Sequence, residues 1–459
     1  MTTVGITLSS LLGGLIFGAS ISPCKWWVFG FIGFGILLAL NTFPLRWHER
    51  AISSMVWGIS SAILPIAFGI KMAKEHFADY PNDFSGWLYA LQPFFLLSIF
   101  VHLTCSVAGE LWLSGKWKRT DWVFLVAAFG VVAEWFTLFL PLPITLAVTQ
   151  SRSPANSIAF FAGVWGVSWF VWFVAAAVVE MVLKQKLNWT TICCAFLFLI
   201  VPHMLVKWLH KNAPKRALKV ALIQNGYEEP LTLAAKVRDV ELIVLPELAL
   251  GQETQLTMKS LKELAQKSGA KVVAGFEEAN PLSNSAVLVS HNGEELLRYR
   301  KIHLFGAERL RYQRGREVKV WNGLGVAICF DTVFPDITRM LAKQGAILVA
   351  VPNYDPPVVG FLLHHLHAAL LPIRAIENFV GIVKADSFGL SQVIAPDGKI
   401  IAEAPLGKTT VLRADAITYP HLQGFTPRFL TPYTLFGDWF VIFCAIIAML
   451  LLIWRIRFA

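Results

Sequence analysis

Stretches of about 20 consecutive apolar residues recur along this chain, each long enough to cross the hydrocarbon core of a bilayer. Seven lie before residue 210, over 4–22, 26–43, 51–70, 86–108, 122–149, 157–183 and 189–209, and an eighth covers 433–454. A purely soluble globule has no use for eight such runs, and a disordered or collagen-like chain does not contain them. Composition points the same way. Of 459 residues, 56% are hydrophobic and 15% charged, against about 25% charged in an ordinary soluble domain. The 17 Trp and 34 Phe suit lipid–water interfaces. The first run has no basic stretch before it and a second run follows at once, so it reads as a span and not as a removable signal. The net charge of +10 reads as basic cytoplasmic loops; no nucleic-acid-binding motif is present, and no nucleic-acid partner is expected.

The run over 122–149 is too long for one straight span and contains Pro141 and Pro143. A helix that breaks near Leu140, followed by a re-entrant stretch, accounts for both. The run also holds Glu134, a carboxylate at membrane depth. Such groups are costly and face the bundle interior or a site; pairing within the bundle is the simpler expectation. Orientation follows from Lys and Arg in short loops. With a cytoplasmic N-terminus, nine basic residues (Arg46, Arg50, Lys116, Lys118, Arg119, Lys184, Lys186, Arg455, Arg457) lie inside and four (Lys25, Lys71, Lys74, Arg152) outside. That places the long segment after the seventh run outside the cytoplasm, although Lys207, Lys211, Lys215 and Arg216 border it there.

That segment, 211–432, has a different texture. Short β-branched runs at 218–224, 242–245, 271–276, 286–290, 324–328, 346–351 and 380–385 alternate with amphipathic helical patterns. In one of these, Met258, Leu261, Leu264 and Ala265 share a face that Gly269 ends. In another, Pro335 opens a helix that turns Ile337, Met340 and Leu341 inward. Strands alternating with helices define an α/β domain, and about 220 residues suffice for its core. The expected organisation is a membrane domain of about seven helices over 1–210, an α/β domain over 211–432, and a C-terminal transmembrane helix with a short basic tail over 433–459.

Five of the six cysteines, Cys24, Cys105, Cys193, Cys194 and Cys444, lie in or beside apolar runs, and no CxxC spacing occurs. Cys329 alone sits in a stretch of soluble character, within Val326-Ala-Ile-Cys-Phe-Asp. Two further segments stand beside it in interest: Leu245-Pro-Glu-Leu, with Glu247, and Arg300-Lys-Ile-His-Leu-Phe, with Lys301. Each polar residue follows an extended run, and α/β sheets present reactive groups at strand C-termini. Singly, such residues are ordinary: a buried thiol is a small hydrophobe and a Glu or Lys is solvated. Together they form a set for acyl transfer. Cys329 is the nucleophile, Glu247 its base, and Lys301 the cation that lowers the thiol pKa and holds an oxyanion.

The order Glu247, Lys301, Cys329 in these words resembles the nitrilase (carbon–nitrogen hydrolase) superfamily. The likeness runs from Leu218 to Ala404 and includes Asn284-Ser-Ala, Arg374-Ala-Ile-Glu377-Asn and the Pro396-Asp-Gly turn. It implies an αββα sandwich, that catalytic triad, and Glu308 as a second glutamate. Set among membrane spans, the domain resembles the apolipoprotein N-acyltransferase family, as do Glu134-Trp, the Pro141/Pro143 break and Gly163-Val-Trp-Gly-Val-Ser-Trp169. The resemblance implies a bacterial inner-membrane enzyme. A phospholipid donates its acyl chain to Cys329, and the amino group of a diacylglyceryl-cysteine on a lipoprotein accepts it. Phe305, Phe330, Asp331 and Tyr354 are the expected substrate contacts. Two departures from the family stand out: Asp331 replaces a usual Glu, and Pro352-Asn-Tyr-Asp-Pro-Pro357 replaces a Ser-Asn-Asp loop. TraB-type conjugal-transfer proteins, or a non-catalytic membrane scaffold with the same shell, are the alternatives.

No cofactor is expected. His364, His365 and His367 cluster, but no paired Cys or carboxylate lies near them in sequence, so no metal site is expected. Arg309, Arg311, Arg314 and Arg316 read as a solvated loop or as contacts for anionic headgroups. Phe305 and Leu310 beside them read as parts of a lid.

Overall fold

The computed structural model describes residues 2–21, 26–76, 84–140, 143, 145–356, 360–419 and 430–458. Cys24, Lys25, Pro141 and Pro357 fall outside them. The N-terminal part is helical: α1 (Thr3–Gly18), α2 (Val28–Asn41), α3 (Trp47–His76), α4 (Phe84–Leu113), α5 (Arg119–Trp135), α6 (Ala159–Lys184) and α7 (Trp189–Asn212). Among the described residues four stretches, Phe94–Leu113, Arg119–Phe139, Pro154–Lys184 and Trp189–Asn212, are long and apolar enough to cross a membrane. Helices α1, α2 and the C-terminal one are apolar but shorter as described. Each of the eight apolar runs thus contributes helix, and among the described residues four stretches reach full spanning length. Helix α7 turns Phe196, Leu197, Val201, Met204 and Trp208 outward, a surface that water would penalise and lipid tails would not.

Buried charged groups inside this bundle find partners, as a low-dielectric interior demands. Arg50 donates to the Ser106 carbonyl at 2.8 Å and pairs with Glu110 at 2.9 Å. Arg119 pairs with the buried Glu180. The helix break expected near Leu140 is present: α5 tightens into a 3₁₀ turn over Phe136–Phe139, and Leu140 is extended. A second 3₁₀ turn, Leu146–Gln150, then folds back into the bundle, fully buried. Glu134 holds it there. Its carboxylate accepts from Leu146 N at 2.9 Å, Ser168 Oγ at 2.7 Å and Trp172 Nε1 at 2.6 Å. Glu134 is therefore the clamp on the returning segment.

The α/β part contains β1 (Arg216–Gln224), α8 (Pro230–Ala234), β2 (Leu242–Val244), α9 (Gln255–Ser268), β3 (Lys271–Ala279), β4 (Leu282–Val289), β5 (Glu295–Arg300) and α10 (Glu308–Arg311). It continues with β6 (Val320–Trp321), β7 (Leu324–Val326), α11 (Pro335–Lys343), β8 (Leu348–Asn353), α12 (Gly360–Asn378), β9 (Gly381–Asp386), β10 (Gln392–Ile394), β11 (Ile400–Glu403) and β12 (Thr410–Thr418). Helices α13 (Pro432–Phe436) and α14 (Trp439–Phe458) close the chain. One six-stranded sheet has the order β12-β1-β2-β3-β4-β5 and the other β11-β10-β9-β8-β7-β6. Each has a parallel centre, β1-β2-β3 and β7-β8-β9. The sheets meet face to face, β2 against β8 and β9, while α8 and α9 cover one outer face and α11 and α12 the other. This is the expected αββα sandwich.

The two parts share one core. A single apolar cluster runs from Phe17, Trp57 and Trp172 through Phe330 to Val383. Helix α12 is the joint, touching strands β9 and β10 on one side and α3, α4 and α6 on the other. Two glycines make close approaches possible. Gly163 breaks α6 at φ +64°, where a Cβ would meet the Tyr433 ring at 2.3 Å. Gly275 on β3 passes so close to the strand-β2 exit that a Cβ would meet Glu247 Cα at 2.7 Å.

Candidate active site

The strand ends converge as the sequence implied. Glu247 follows β2, Lys301 follows β5 and Cys329 opens a 3₁₀ turn (Cys329–Thr332) after β7. Lys301 Nζ lies 2.7 Å from Glu247 Oε1 and 2.9 Å from Glu308 Oε2. Asn284 joins the pair, donating to Glu247 Oε1 at 2.6 Å and to Glu308 Oε1 at 2.9 Å. Glu247 Oε2 accepts from Tyr354 N at 3.0 Å. Glu308 Oε2 accepts from Phe305 N at 2.8 Å, so this carboxylate also fixes the loop after the lysine. Cys329 has φ +46°, a left-handed conformation that costs a residue with a Cβ on the order of 1–3 kcal/mol and that folds keep at functional turns.

Electrostatics follow from burial. Burial pushes the Cys329 thiol well above its usual range; the Glu247 charge adds to this and the Lys301 ammonium opposes it. Burial also raises the Glu247 carboxyl, against Lys301 and with the Glu308 charge. Burial would lower the Lys301 ammonium, but Glu247 above all, with Cys329 and Glu308, carries it well above the ordinary lysine value. At rest the thiol keeps its proton next to a carboxylate that can take it.

Three of the four expected substrate contacts line one cavity with Cys329: Phe305, Phe330 and Tyr354. The Phe305 and Phe330 rings meet edge to face at 4.9 Å. The cavity is partly open to the surface. Its other wall comes from the membrane part, through Leu138, Pro143, Thr145, Val148, Val164 and Trp165. The Glu134 clamp therefore sets a wall of the space in front of the thiol.

Asp331 corrects the expectation. It is fully buried and does not line the cavity. Its Oδ2 accepts from Tyr299 Oη at 2.7 Å and Ile328 N at 3.0 Å, and its Oδ1 from Ile302 N at 3.2 Å and His303 N at 2.7 Å. The left-handed turn at Cys329 sends the thiol to the cavity and Asp331 inward, where it bolts the lysine loop to the cysteine turn. Leu310 likewise stands apart, 92% exposed and away from the cavity lining. The arginines divide. Arg309 donates to the Leu304 carbonyl and Arg311 pairs with Glu277. Arg314 and Arg316 border a separate cleft with Arg298, Arg300 and Lys319.

Arg374 and Glu377 form a buried pair at 2.6 Å. Arg374 donates to the Thr332 and Val333 carbonyls just past the nucleophile. Glu377 Oε1 accepts at 2.6 Å from Val164 N, the amide that the Gly163 break presents. The cysteine turn is thereby tied to a membrane helix.

Sequence spacing concealed one group. His367 Nδ1 lies 3.1 and 3.2 Å from the Asp355 carboxylate oxygens, and its Nε2 lies 2.9 Å from Thr332 Oγ1. One ligand-type atom from each of Cys329, Asp355 and His367 falls within 4.8 Å of the others. A carboxylate and a thiol thus do stand beside the histidine cluster, contrary to the sequence expectation. Lys384 Nζ sits 3.5 Å from Asp355, so a cation already stands beside this trio. The same lysine lies 2.9 Å from Asp386.

Comparison with known proteins agrees with this architecture. Residues 204–416 match the carbon–nitrogen hydrolase family and residues 13–177 the apolipoprotein N-acyltransferase N-terminal domain. A nitrilase of Pyrococcus abyssi is 33% identical over 200 residues, 39% of this chain and 73% of the relative. A probable nitrilase of Schizosaccharomyces pombe is 32% identical over 164 residues, 32% of this chain; the chain spans 58% of that relative's length. An apolipoprotein N-acyltransferase of Coxiella burnetii is 22% identical over 460 residues, 88% of this chain and 92% of the relative. Among solved structures, an amidase from Nesterenkonia sp. aligns with 24% identity and a TM-score of 0.38, covering 43% of this chain and 89% of that one. The chain belongs to the carbon–nitrogen hydrolase (nitrilase) superfamily. Within that class its likeness over most of its length is to the apolipoprotein N-acyltransferases, through both the helical and the sandwich halves.

Proposed function

We propose that this protein is a membrane N-acyltransferase that moves a fatty acyl chain from a phospholipid, through a thioester on Cys329, to the α-amino group of a lipoprotein's N-terminal diacylglyceryl-cysteine. The observation that carries the reading is the largely apolar pocket in front of the thiol, whose lining the sandwich shares with membrane helices. An acyl chain fits such a lining, and exclusion of water lets an amine compete for the thioester. The surplus of basic residues in alternate loops supports placing the sandwich on the extracytoplasmic face of a bacterial inner membrane.

Two half-reactions follow. Glu247 takes the Cys329 proton as Sγ attacks the ester carbonyl, and Lys301 stabilises the oxyanion. The ester C–O bond breaks, Glu247 returns the proton to the departing lysophospholipid oxygen, and the thioester remains. The acceptor nitrogen then attacks, the C–S bond breaks, and the thiol is restored. The test supplies a phospholipid with a labelled acyl chain and a diacylated lipopeptide to the full chain in detergent. Label is expected in an amide on the lipopeptide; label released only as free fatty acid would make the protein a hydrolase.

The site also predicts a pH effect. Glu247 acts as base only when ionised, and its carboxyl lies above the ordinary range partly because of the Glu308 charge. Glu308→Gln removes that charge. The acidic limb of the single-turnover acylation profile should therefore move to lower pH. An unchanged or alkaline-shifted limb would show that Glu308 does not set the base.

A further inference from the structure

The proton balance of the second half-reaction leaves one proton without a home. An N-terminal amine of ordinary pKa, about 7.7–8.0, is largely ammonium at neutral pH. Ammonium has three N–H protons and the amide product one. Glu247, left ionised by the first half-reaction, carries one of the two released protons to the departing sulfur. A second base must take the other.

We propose that His367, oriented by Asp355, is that base, and that the pair is the binding subsite for the acceptor's ammonium group. The inference rests on the acyl-transfer reading and deepens it. Asp355 and His367 line the same cavity as Cys329, with one atom of each of the three within 4.8 Å of the others. They are reached from elements separate from Glu247. The loop after β8 divides the two bases, since Tyr354 N–H points to Glu247 while the next side chain, Asp355, points to His367. Burial works to raise the Asp355 carboxyl, but the His367 and Lys384 charges hold it well below the usual carboxylate range. An ionised Asp355 accepts from Nδ1–H, which leaves the Nε2 lone pair facing the Thr332 hydroxyl at 2.9 Å.

The step balances. The ammonium binds at Asp355 and gives one proton to Thr332 Oγ1, whose own hydroxyl proton turns from the Cys329 carbonyl and passes to His367 Nε2. The neutral nitrogen attacks the thioester carbon, and its second proton reaches sulfur through Glu247. The imidazolium, paired with Asp355, releases its proton to water as the product leaves. The ionisable groups facing the pair are Cys329, His364, Lys384 and Asp386.

The experiment uses the full chain in detergent and three readouts: acylation of Cys329 by phospholipid, discharge by a diacylated lipopeptide, and discharge by hydroxylamine, which is unprotonated at neutral pH. The variants are His367→Gln and the near-isosteric Asp355→Asn. Acylation and hydroxylamine discharge serve as the reference within each variant, since neither requires an ammonium to lose a proton, and lipopeptide discharge is read relative to them. Lipopeptide discharge should fall about a hundredfold at neutral pH, the order expected for loss of a general base, and recover as alkaline pH deprotonates the acceptor. Wild-type lipopeptide discharge in both variants overturns the amine subsite alone. Parallel loss of all three readouts overturns it too, and assigns the pair to holding the Cys329–Thr332 turn. Absence of an acyl adduct on the wild-type chain overturns the acyl-transfer reading itself.

Discussion

Replacing Cys329 with alanine removes the acyl adduct. Incubated with phospholipid, the wild-type chain should gain the mass of one acyl group by intact-mass measurement, and Cys329→Ala should stay at its unmodified mass. Transfer to a lipopeptide should fall by at least about a thousandfold, since the residual rate then rests on binding and oxyanion stabilisation alone. Among the described cysteines, Cys329 is the one set against an ammonium and a carboxylate. Cys193 and Cys194 lie on α7, and Cys105 and Cys444 are buried among apolar helices. The substitution is clean. Alanine has the same Cβ and bears the same penalty at φ +46°, so the thermal midpoint should hold. An adduct that persists in Cys329→Ala removes the proposed nucleophile.

Lys301→Met should be the most damaging single change to the fold as well as to catalysis. It leaves Glu247 and Glu308 side by side, 3% and 21% exposed, with Asn284 as their shared donor and no cation between them. Breaking a buried ion pair by deleting one partner costs about 3–5 kcal/mol. The loss has a sign in pH. With the ammonium gone, burial and the neighbouring charge both raise the folded-state carboxyls above their unfolded value of about 4.3. The folded chain then binds more protons than the unfolded one over the interval above that value, so stability falls as pH rises through it. Melting in detergent from pH 5 to pH 8 should show the variant closest to wild type at the acid end. A variant equally stable at both ends would mean that the two carboxylates do not share charge through Lys301.

The reactive set is legible in the sequence because each member ends a strand within a recognisable word, and strand ends are where such folds gather side chains. The sandwich is legible through β-branched runs, but not fully. Strand β5, with Glu295, Arg298 and Arg300 on it, and the short β6, β10 and β11 carry too little apolar signal to stand out. Asp331 misleads for a local reason. Closeness to a nucleophile in sequence suggests contact with substrate, whereas in the 3₁₀ turn Phe330 faces the cavity and Asp331, two positions past the cysteine, is held inward by Tyr299 and the backbone amides of Ile302, His303 and Ile328. The pairing of Asp355 with His367 spans only twelve positions, but it joins a loop to a helix, and spacing alone says nothing about that turn. The membrane wall of the cavity is beyond the reach of sequence for the same reason: nothing in the run over 122–149 announces that Val148 returns to face a thiol more than a hundred residues later.

That shared wall has a consequence for what distinguishes transfer from hydrolysis. The trio of Glu247, Lys301 and Cys329 is indifferent to its nucleophile; a thioester yields to whatever arrives first. Here the arrival is filtered by helices belonging to the bilayer half, latched to the cysteine turn through Val164, Glu377 and Arg374. In the acyl-transfer reading, selection between water and amine falls to the seam joining two domains, and a substitution on the bilayer half, outside the trio, is expected to alter which product leaves.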